Sequence, residues 1–590
     1  MAFRSPGAPK ALRLSARACL ALALLVLGCG SPTARFPLKE PLWRDPDRHS
    51  FKTPPEEYFS PFAWDGADQL VFRPISRFFA VDPLGEASNV NSFDEVPDSS
   101  WFTNRIGLPL ARGKPAPTLQ AFARGPCVTQ PLDTNGPWTV TGAKPNGFNP
   151  GFIIKAANGL RYLIKFDGLA QGVRPTAADV IGSRIYHAAG FFTPCNRVVY
   201  FDRSILNIDP KARGEDADGD DEPLTQAHLD VVFSKAQVLP DGRYRAASSL
   251  FVDGKPLGPW TYQGRRADDP NDVVDHEMRR ELRGAYVLAA WTNHFDSREQ
   301  NTLSAWVESA RQPDRGYLRH YYIDFGDCFG SIWEPPLLGR RIGSAYYFDV
   351  PYLLEDFVTL GIPQRPWDTA RLGKSGAVFG YYDVKHFRPD MYRPGYPNPP
   401  FSAMTERDAA WMARILSRFS DRHVAALVNS ADLRSELLVS ELTRILIGRR
   451  DKLLKRYLGR LSPLANPRID TGVLCLDDAA VSAGIAAPTR GYIAQGYAGD
   501  ALTPKHVAVQ PRAGGVCVAL PAPSPGASQE YWVVDIAARK DAAARADAIS
   551  RAAIDGLSLY PTRVHLMALR SGSYRVVGVE RPESHAPPAE

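Results

Sequence analysis

The sequence predicts an α+β protein in which a β-rich unit, a helical unit and a second β-rich unit follow an N-terminal extension. Three observations carry this prediction. Strand-like runs separated by glycine-rich turns fill residues 138–166. Helical periodicity dominates residues 274–293 and returns from Thr405, where Thr405-Glu-Arg-Asp408 predicts an N-terminal cap, to about 460. Beyond about 468 the composition shifts to Gly, Ala, Val and Pro with short strand-like runs, which is typical of a small β-rich domain.

The length and composition are those of a folded protein with several units. The chain has 590 residues, of which 44% are hydrophobic and 23% charged, and this excludes a disordered chain. The formal net charge of +6 is not gathered into basic blocks, so no nucleic-acid partner is expected. The predicted parts are a signal segment (1–29), a tether and extended N-terminal region (30–137), a first β-rich unit (138–260), a helical unit (261–465) and a C-terminal β-rich domain (466–590).

The first 29 residues have the pattern of an export signal. A basic front precedes the apolar stretch Ala18–Gly28, which is too short to cross a bilayer as a helix. The quartet Val26-Leu27-Gly28-Cys29 resembles the bacterial lipoprotein box, in which Cys29 is lipidated and becomes the mature N-terminus. We therefore expect a lipid anchor that holds the protein at the cell envelope, on the periplasmic or surface side of the outer membrane. The alternative is a plain secretory signal with a cysteine near its cleavage site.

Five cysteines remain once Cys19 and Cys29 are assigned to the signal segment: Cys127, Cys195, Cys328, Cys475 and Cys517. None has CxxC spacing, which argues against a zinc site. Cys475 and Cys517 lie in the same C-terminal segment. A disulfide between them and a pair of buried thiols both remain open, because spacing does not decide connectivity.

The first β-rich unit begins with three expected strands and a helix, at 138–141, 152–156, 160–166 and 175–189. The loop Gly142–Gly151 joins the first two strands and contains Lys144 and Gly147. Backbone N–H groups in such a loop can face phosphate oxygens without obstruction by side chains. Asn158-Gly159 predicts a tight hairpin between the second and third strands.

Lys165 lies in the third of these strands among apolar residues. Its charge must either point outward or pair with an acid, because an unpaired buried charge is costly. Asp179, early on the following helix, is the candidate partner. The alternative for Asp179 is an ordinary first-turn acid that the helix dipole favours.

Further strand-like runs at 196–202, 229–238 and 249–253 enclose an acidic loop. In this loop Asp216, Asp218 and Asp220 have the alternating spacing of calcium loops. Ala227 occupies the twelfth position, where such loops need a Glu, so a solvated acidic turn is favoured over a metal site.

The chemistry-bearing residues follow the helix expected at 274–293. A first motif, His294-Phe-Asp296-Ser-Arg298-Glu-Gln-Asn301, leads into two expected strands at 302–308 and 317–323. The second of these strands ends in a second motif, Asp324-Phe-Gly326. Phosphoryl transfer needs a Lys on the phosphates, an acid that holds it, a carboxylate facing the acceptor and oxygen ligands for magnesium. The chain supplies these residue types in that order, and their context of helix, loop and strand pair is the one such motifs require.

Residues 330–400 form an aromatic and Pro-rich excursion that includes Trp333, Tyr346, Tyr347, Trp367, Tyr381 and Tyr382. These rings could line a cleft for an acceptor. Packing of the helical unit is the favoured interpretation, because large aromatic side chains are mostly buried.

At the loop Gly142–Gly151, the Lys165 strand and the two motifs, the chain resembles the protein-kinase-like superfamily, and more closely its atypical HipA-type and CotH-type kinases. The resemblance spans roughly 138–460. It implies a two-lobed fold, with a small β-rich lobe followed by a large helical lobe, and binding of ATP with magnesium.

The resemblance also assigns roles to individual residues. Gly142, Lys144, Gly147 and Lys165 would bind the nucleotide, and Asp179 would hold Lys165. Asp296 would orient or deprotonate the acceptor hydroxyl, with Arg298 supporting the transferred phosphoryl group. Asn301 and Asp324 would hold the metal.

Three positions depart from the usual pattern. Asp179 is one methylene shorter than the usual Glu, Phe295 replaces an Arg, and Asp327 adds an acid beside the proposed metal. The leading hypothesis is an extracytoplasmic, lipid-anchored kinase-like enzyme that phosphorylates a hydroxyl on an unidentified acceptor. The alternatives are a pseudokinase scaffold at the cell envelope and transfer of AMP by the same fold, because a fold alone does not establish activity.

Overall fold

A computed structural model describes residues 35–59, 62–79, 85–106, 117–144, 149–215, 221–330, 336–365, 367–499, 502–523, 530–540 and 558–588. Helices and several separate sheets share these residues, so the predicted α+β class is confirmed. The two-lobed arrangement and the boundaries of the parts stay predictions. Cys29, Gly147, Trp333 and the acidic residues 216–220 lie outside the described residues.

The N-terminal region is largely extended and lies over the rest of the chain. Single β-bridges pair Phe51 with Gly316 and Phe102 with Phe191. Trp101 and Phe102 are buried in the largest hydrophobic core, which fixes this region to the helical part. Its described helices are α1 (Phe62–Ala67) and α2 (Arg73–Phe79), joined by a π-helical turn (Asp68–Phe72), and α3 (Leu119–Arg124).

A seven-stranded sheet with the order β4-β7-β3-β2-β1-β5-β6 follows. Its strands are β1 (Trp138–Ala143), β2 (Gly151–Ala156), β3 (Arg161–Phe166), β4 (Asn196–Phe201), β5 (Leu206–Glu215), β6 (Asp221–Pro223) and β7 (Tyr244–Leu250). The helices α4 (Arg174–Ala189) and α5 (Gln226–Ser234) accompany it. The predicted strands β1 to β3 are confirmed as an antiparallel meander, and β3 lies inside the sheet between β2 and β7.

The prediction of a strand at 229–238 was wrong, because helix α5 occupies most of that stretch. Leu229 and Phe233 are four residues apart and both buried, so they share one face of the helix. Phe233 contacts the rings of Phe152 and Phe166 on the sheet. A short apolar run is compatible with both the strand period and the helix period, and here packing against the sheet favours the helix.

The helical part is built around α6 (Arg280–Thr292), which is buried along its whole length. The helix predicted at 274–293 therefore begins later than expected, after a short 3₁₀ turn (His276–Met278). The predicted cap of the helix after Thr405 is confirmed, since Thr405 and Asp408 exchange side-chain-to-backbone hydrogen bonds. The other helices are α7 (Pro336–Arg341), α8 (Val350–Thr359), α9 (Gly376–Phe379), α10 (Pro399–Ser402), α11 (Glu406–Leu416), α12 (Asp421–Asn429) and α13 (Glu436–Tyr457).

A three-stranded sheet, β10-β9-β8, brings the chain from α6 to the second motif. Its strands are β8 (Lys255–Pro256), β9 (Thr302–Ser309) and β10 (Gln312–Tyr322). The long pair β9 and β10 starts directly after Asn301 and ends directly before Ile323 and Asp324. This hairpin therefore holds the two motifs at one end, and Ile323 N–H donates to the Asn301 carbonyl at 3.0 Å.

The C-terminal residues form two sheets with the orders β11-β12-β16-β15 and β14-β13-β17-β18-β19. A hydrophobic core of their own lies between them. The elements are β11 (Leu464–Asp470), β12 (Val473–Asp478), α14 (Ala479–Ser482), β13 (Tyr492–Ala498), β14 (Thr503–Lys505), β15 (Ala508–Arg512), β16 (Gly515–Ala519), β17 (Tyr531–Ala538), β18 (Thr562–Ala568) and β19 (Tyr574–Glu580). The strands predicted near 515–520, 530–536, 562–570 and 573–579 are thus confirmed, with every end within two residues of the prediction.

Two disulfides cross-link the described chain. Cys475 and Cys517, whose pairing the sequence left open, are joined across the neighbouring strands β12 and β16. A second disulfide, which the sequence did not indicate, links Cys127 to Cys195, just before β4. Within the described ranges, Cys328 is the free cysteine, and it is buried. In the same ranges we find no helix with the length and apolar character needed to cross a membrane.

Candidate active site

Lys165 points into the protein and meets two acids. Its Nζ lies 2.8 Å from Asp179 Oδ2 and 3.0 Å from Asp324 Oδ1. Burial would lower the pKa of Lys165, but the two carboxylates hold the pKa above its ordinary value. The outward orientation considered for this lysine is therefore excluded, and its ammonium group stays charged at the centre of the site.

Asp179 connects helix α4 to the second motif as well as to Lys165. Its Oδ1 accepts a hydrogen bond from the Phe325 backbone N–H at 3.0 Å. The shorter side chain reaches because α4 lies close to this segment. A Cβ built on Gly182 would come within 2.5 Å of the Phe325 Cβ, so a glycine at this position permits the approach.

The loop between β1 and β2 contributes Lys144, whose Nζ donates to the Asn149 carbonyl at 3.0 Å. Burial lowers the pKa of Lys144 to about 8, with Asp324 opposing the shift and Lys165 adding to it. Lys144, Lys165 and Asp324 are therefore close enough for their charges to interact. Gly142 lies at a register shift between β1 and β2.

Gly151 is needed for the close approach of β2 to β3. A Cβ at this position would lie 2.3 Å from the Ile164 backbone oxygen, which cannot give way. The start of β2 therefore packs backbone against backbone beside Lys165, whose Cα pairs with Gly151 in the sheet register. Glycine is used here for space, since its φ is not among the positive values.

The first motif follows α6 through Asn293, which ends the helix in the left-handed conformation at φ 54°. His294 is fully buried, and its Nδ1 lies 3.1 Å from the Tyr186 hydroxyl. The Tyr392 hydroxyl donates to the His294 carbonyl at 2.5 Å. Burial lowers the pKa of His294 to about 4, against the attraction of Asp296 and Asp324, so the imidazole is neutral and holds the loop in place.

Asp296 and Asn301 are brought together by this loop. Asn301 Nδ2 donates to Asp296 Oδ2 at 2.9 Å and to the Asp296 carbonyl at 2.7 Å. Arg298 Nε lies 3.3 Å from Asp296 Oδ1, and the guanidinium is 5.3 Å from the centre of the Tyr396 ring. Burial raises the pKa of Asp296 to about 7; Arg298 opposes the shift and Asp327 adds to it.

Asp324 has the left-handed conformation, with φ 55°. This conformation is uncommon for a residue with a side chain and marks a tight turn out of the β10 end. Burial would raise the pKa of Asp324, but Lys165 and Lys144 hold it below its usual range. The carboxylate is ionised, and its side chain is 41% exposed, so it borders the opening of the site.

The structure gives contacts to Asp327, which the sequence placed beside the proposed metal without a role, and adds Arg174, which the sequence did not assign to the site. Asp327 Oδ2 accepts from the Asp296 backbone N–H at 2.8 Å, and its other oxygen lies 3.5 Å from His294 Nε2. Buried Arg174, at the start of α4, donates to the carbonyls of Gly326 and Cys328 at 2.9 and 3.1 Å. The position of Asp327 next to Gly326 was a usable signal, whereas nothing local distinguishes Arg174.

The donor set at the opening fits a hard divalent cation. Asp324 supplies a carboxylate, and both described hydrogen bonds of the Asn301 amide use its nitrogen, which leaves the amide oxygen for a ligand. Carboxylate and amide oxygens are ligands that Mg²⁺ accepts. A second group, His294, Asp327 and Cys328, has ligand atoms within 4.8 Å of one another, but His294 and Cys328 are fully buried and the set offers a nitrogen and a sulfur.

The aromatic residues of the 330–400 excursion divide between packing and the opening. Tyr382 is buried, and its hydroxyl donates to the Trp291 carbonyl at 2.6 Å. Tyr347 lies at the rim, where its ring is 5.2 Å from that of Tyr396. Tyr382 therefore packs inside the helical part, as the sequence favoured for these aromatic residues, whereas Tyr347 borders the site.

Comparisons with known proteins add little to this geometry. No family model matches the chain, and no curated protein matches it. A solved structure of the Golgi casein kinase aligns at 12% identity with a TM-score of 0.22, over 49% of this chain and 75% of that one. A second, of the Golgi casein kinase with Mn/ADP bound, has the same identity and TM-score over 72% of this chain and 95% of that one. At that TM-score the likeness carries no argument, and the site rests on its own contacts.

Proposed function

We propose that this protein is a kinase-like phosphotransferase that uses ATP and Mg²⁺ to phosphorylate a hydroxyl group. One observation carries the proposal. Lys165, held by Asp179, is 3.0 Å from Asp324 at the same opening that contains the hydrogen-bonded pair Asp296 and Asn301. These are the charges that phosphoryl transfer requires, and the resemblance to atypical kinases in the sequence motifs assigns them the same roles.

The roles follow from position and charge. Lys165 and Lys144 supply positive charge for the phosphate oxygens. Asn301 and Asp324 would hold Mg²⁺, which when bound neutralises charge on the phosphate chain. Asp296 accepts the proton of the acceptor hydroxyl while the bond from that oxygen to the γ-phosphorus forms and the bond to the ADP oxygen breaks.

Arg298 and Asp327 support Asp296 from two sides. Arg298 holds one carboxylate oxygen of Asp296, and Asp327 holds its backbone N–H. Asp296 must be deprotonated to accept a proton. Because its pKa is about 7, about half of the Asp296 carboxyl groups are deprotonated at neutral pH.

We also propose that the protein acts outside the cytoplasm, anchored at the cell envelope by a lipid on Cys29. The export signal and the Val26–Cys29 quartet support this location. The two disulfides support it independently, because disulfides persist mainly in oxidising compartments.

The test uses the chain that begins at Gly30, which lacks the signal segment and keeps every described residue. Mg²⁺-dependent ATP binding is measured first. Transfer to a cell-envelope extract is then followed with ATP labelled on either the γ- or the α-phosphate. We expect transfer of the γ-label, loss of transfer in Asp296→Ala, and loss of Mg²⁺-dependent binding in Asp324→Ala.

A matched control is Asp253→Ala, because this aspartate side chain is 87% exposed and far in sequence from both motifs. It should leave binding and transfer unchanged. Transfer of the α-label would instead identify AMP transfer. Binding without transfer of either label would identify a nucleotide-binding scaffold, and a parent that binds no ATP would overturn the nucleotide site altogether.

A further inference from the structure

Helix α8 carries its apolar face on the outside. Val350, Leu353, Leu354, Phe357 and Val358 recur at the spacing of one helical face, and these side chains are 43–81% exposed. The exposed apolar surface continues past the helix with Leu360 and Ile362, at 88% and 83%. No described residue of α8 is buried. An amphipathic helix on a water-soluble surface has the opposite orientation.

The polar side of α8 makes contacts with neighbouring arginines. Arg365 forms ion pairs with Glu355 and Asp356 and lies 4.5 Å from the centre of the Tyr352 ring. Arg393 lies 4.7 Å from the same ring. The side chains of Glu355 and Asp356 stay 46% and 47% exposed, so the contacts of α8 lie opposite its apolar face without burying the polar side.

A second helical segment, α1 to α2, has the same inverted arrangement. Trp64 and Phe72 are exposed and stack on each other at 5.6 Å, and Ile75 is exposed beyond them. The polar residues Asp65 and Gln69 are buried and hydrogen-bond to each other at 2.7 Å. In this segment the polar side chains face the protein and the apolar ones face outward.

Both segments border the opening that contains Asp296. Arg73 of α2 pairs with Glu299 of the first motif at 2.5 Å. On the other side, the Gly395 backbone joins Tyr347, before α8, to Phe295 of the motif by hydrogen bonds of 2.7 and 2.5 Å. Of the 27 exposed large hydrophobic side chains among the described residues, 15 lie in 58–75 and 347–362. This concentration beside one opening marks an interaction surface.

We propose that these two apolar faces bind the surface of a lipid bilayer and hold the opening of the candidate active site against its headgroup layer. The proposal rests on the proposed envelope location. Only five residues, Gly30–Ala34, separate Cys29 from Arg35, where the described chain begins. Such a tether spans about 20 Å at most, so a lipidated Cys29 would keep the folded part next to a bilayer.

A bilayer suits the chemistry of these faces. They are rich in Trp, Phe, Leu and Val, the side chains that enter the boundary between headgroups and acyl chains. Binding through such exposed faces is interfacial. Its consequence for the proposed reaction is that hydroxyl groups presented at the headgroup layer lie within reach of Asp296.

Flotation with vesicles of phosphatidylethanolamine and phosphatidylglycerol (3:1) tests the proposal, again with the chain from Gly30. The parent should float with the vesicles without any anchor. Phe357→Ser combined with Val358→Ser, and Trp64→Ser combined with Phe72→Ser, should each weaken binding about tenfold or more, since each removes two buried apolar side chains from the membrane contact. Val128→Ser with Leu437→Ser is the control, because these side chains are 78% and 58% exposed outside both faces.

Thermal unfolding of each variant shows that the fold is kept, and ATP binding separates this proposal from the proposed function. A parent that does not bind vesicles, or face variants that bind as well as the control, would overturn the membrane surface even if ATP binding persists. Light scattering identifies the other occupant. A dimer that dissociates only in the face variants would assign these faces to contact between two copies and would also overturn the proposal.

Discussion

Removal of the Asp179 carboxylate tests the architecture of the site most directly, because its two oxygens have separate contacts. Oδ2 pairs with Lys165 Nζ at 2.8 Å, and Oδ1 accepts the Phe325 N–H at 3.0 Å. Asp179→Asn keeps an oxygen for the N–H and removes the charge. Asp179→Ala removes both contacts, so the two variants separate the ion pair from the hydrogen bond.

The expected costs follow from these contacts. Breaking a buried ion pair by removing one partner costs about 3–5 kcal/mol. Lys165 keeps Asp324 as a second partner at 3.0 Å, so we expect a smaller loss, about 2 kcal/mol, for Asp179→Asn. The orphaned Phe325 N–H adds about 1–3 kcal/mol. The total for Asp179→Ala is then about 4 kcal/mol.

Urea unfolding measures these differences, and Asp253→Ala is the control at an exposed site. Both Asp179 variants should also weaken ATP binding, because Lys165 loses the acid that orients it. Two results would refute the reasoning. An Asp179→Asn variant as stable as the control would mean that the ion pair contributes nothing, and equal costs for Asn and Ala would mean that the bond to Phe325 is not made.

Three further predictions concern packing, cross-linking and pH. Gly151→Ala should destabilise the protein by about 1–3 kcal/mol and weaken ATP binding, since its Cβ meets the Ile164 oxygen at 2.3 Å; a variant with unchanged unfolding would contradict this. Replacing both Cys475 and Cys517 by Ala should lower the free energy of unfolding by about 2–4 kcal/mol, seen as a lower Tm. Because the variant lacks this disulfide, a reducing agent should cause no further loss of stability through it. Burial raises the pKa of Asp296 to about 7 from 3.8, so the folded state binds more protons than the unfolded state between these values and stability falls as pH rises through this window. Asp296→Asn, with EDTA present, should therefore gain stability over the parent as pH rises from 4 to 8, and parallel pH profiles would show that the pKa of this carboxyl is not raised in the folded state.

Sequence patterns were most informative where structure is local. Asn158-Gly159 placed the hairpin between β2 and β3, and Thr405 with Asp408 placed the start of α11. Turn and cap signals act over two to four residues, so they survive in the folded chain. The strand prediction at 229–238 was wrong because the apolar residues of this run are compatible with both the strand period and the helix period. Only the packing of Phe233 against the sheet selects the helix.

Contacts between residues far apart in the sequence could not be predicted from such local patterns. The Cys127–Cys195 disulfide closes 68 residues, and spacing alone does not indicate such a pair. Arg174 enters the site through hydrogen bonds to the backbone carbonyls of Gly326 and Cys328, and such bonds leave no pattern in the sequence. The roles predicted for Lys144, Lys165, Arg298 and Asn301 in binding and catalysis, and the lipid on Cys29, stay predictions for the experiments above.

The sequence by itself determined the chemical groups of the two motifs and their order along the chain, because the residues around Asp296 and around Asp324 are contiguous. Only the tertiary structure decided that Lys165 meets Asp324 across 159 residues. It alone also decided the direction of α8. A stripe of apolar residues has the same 3.6-residue period whether it faces a core or faces outward, and here the contacts of Arg365 lie on the side opposite Phe357, which is 81% exposed.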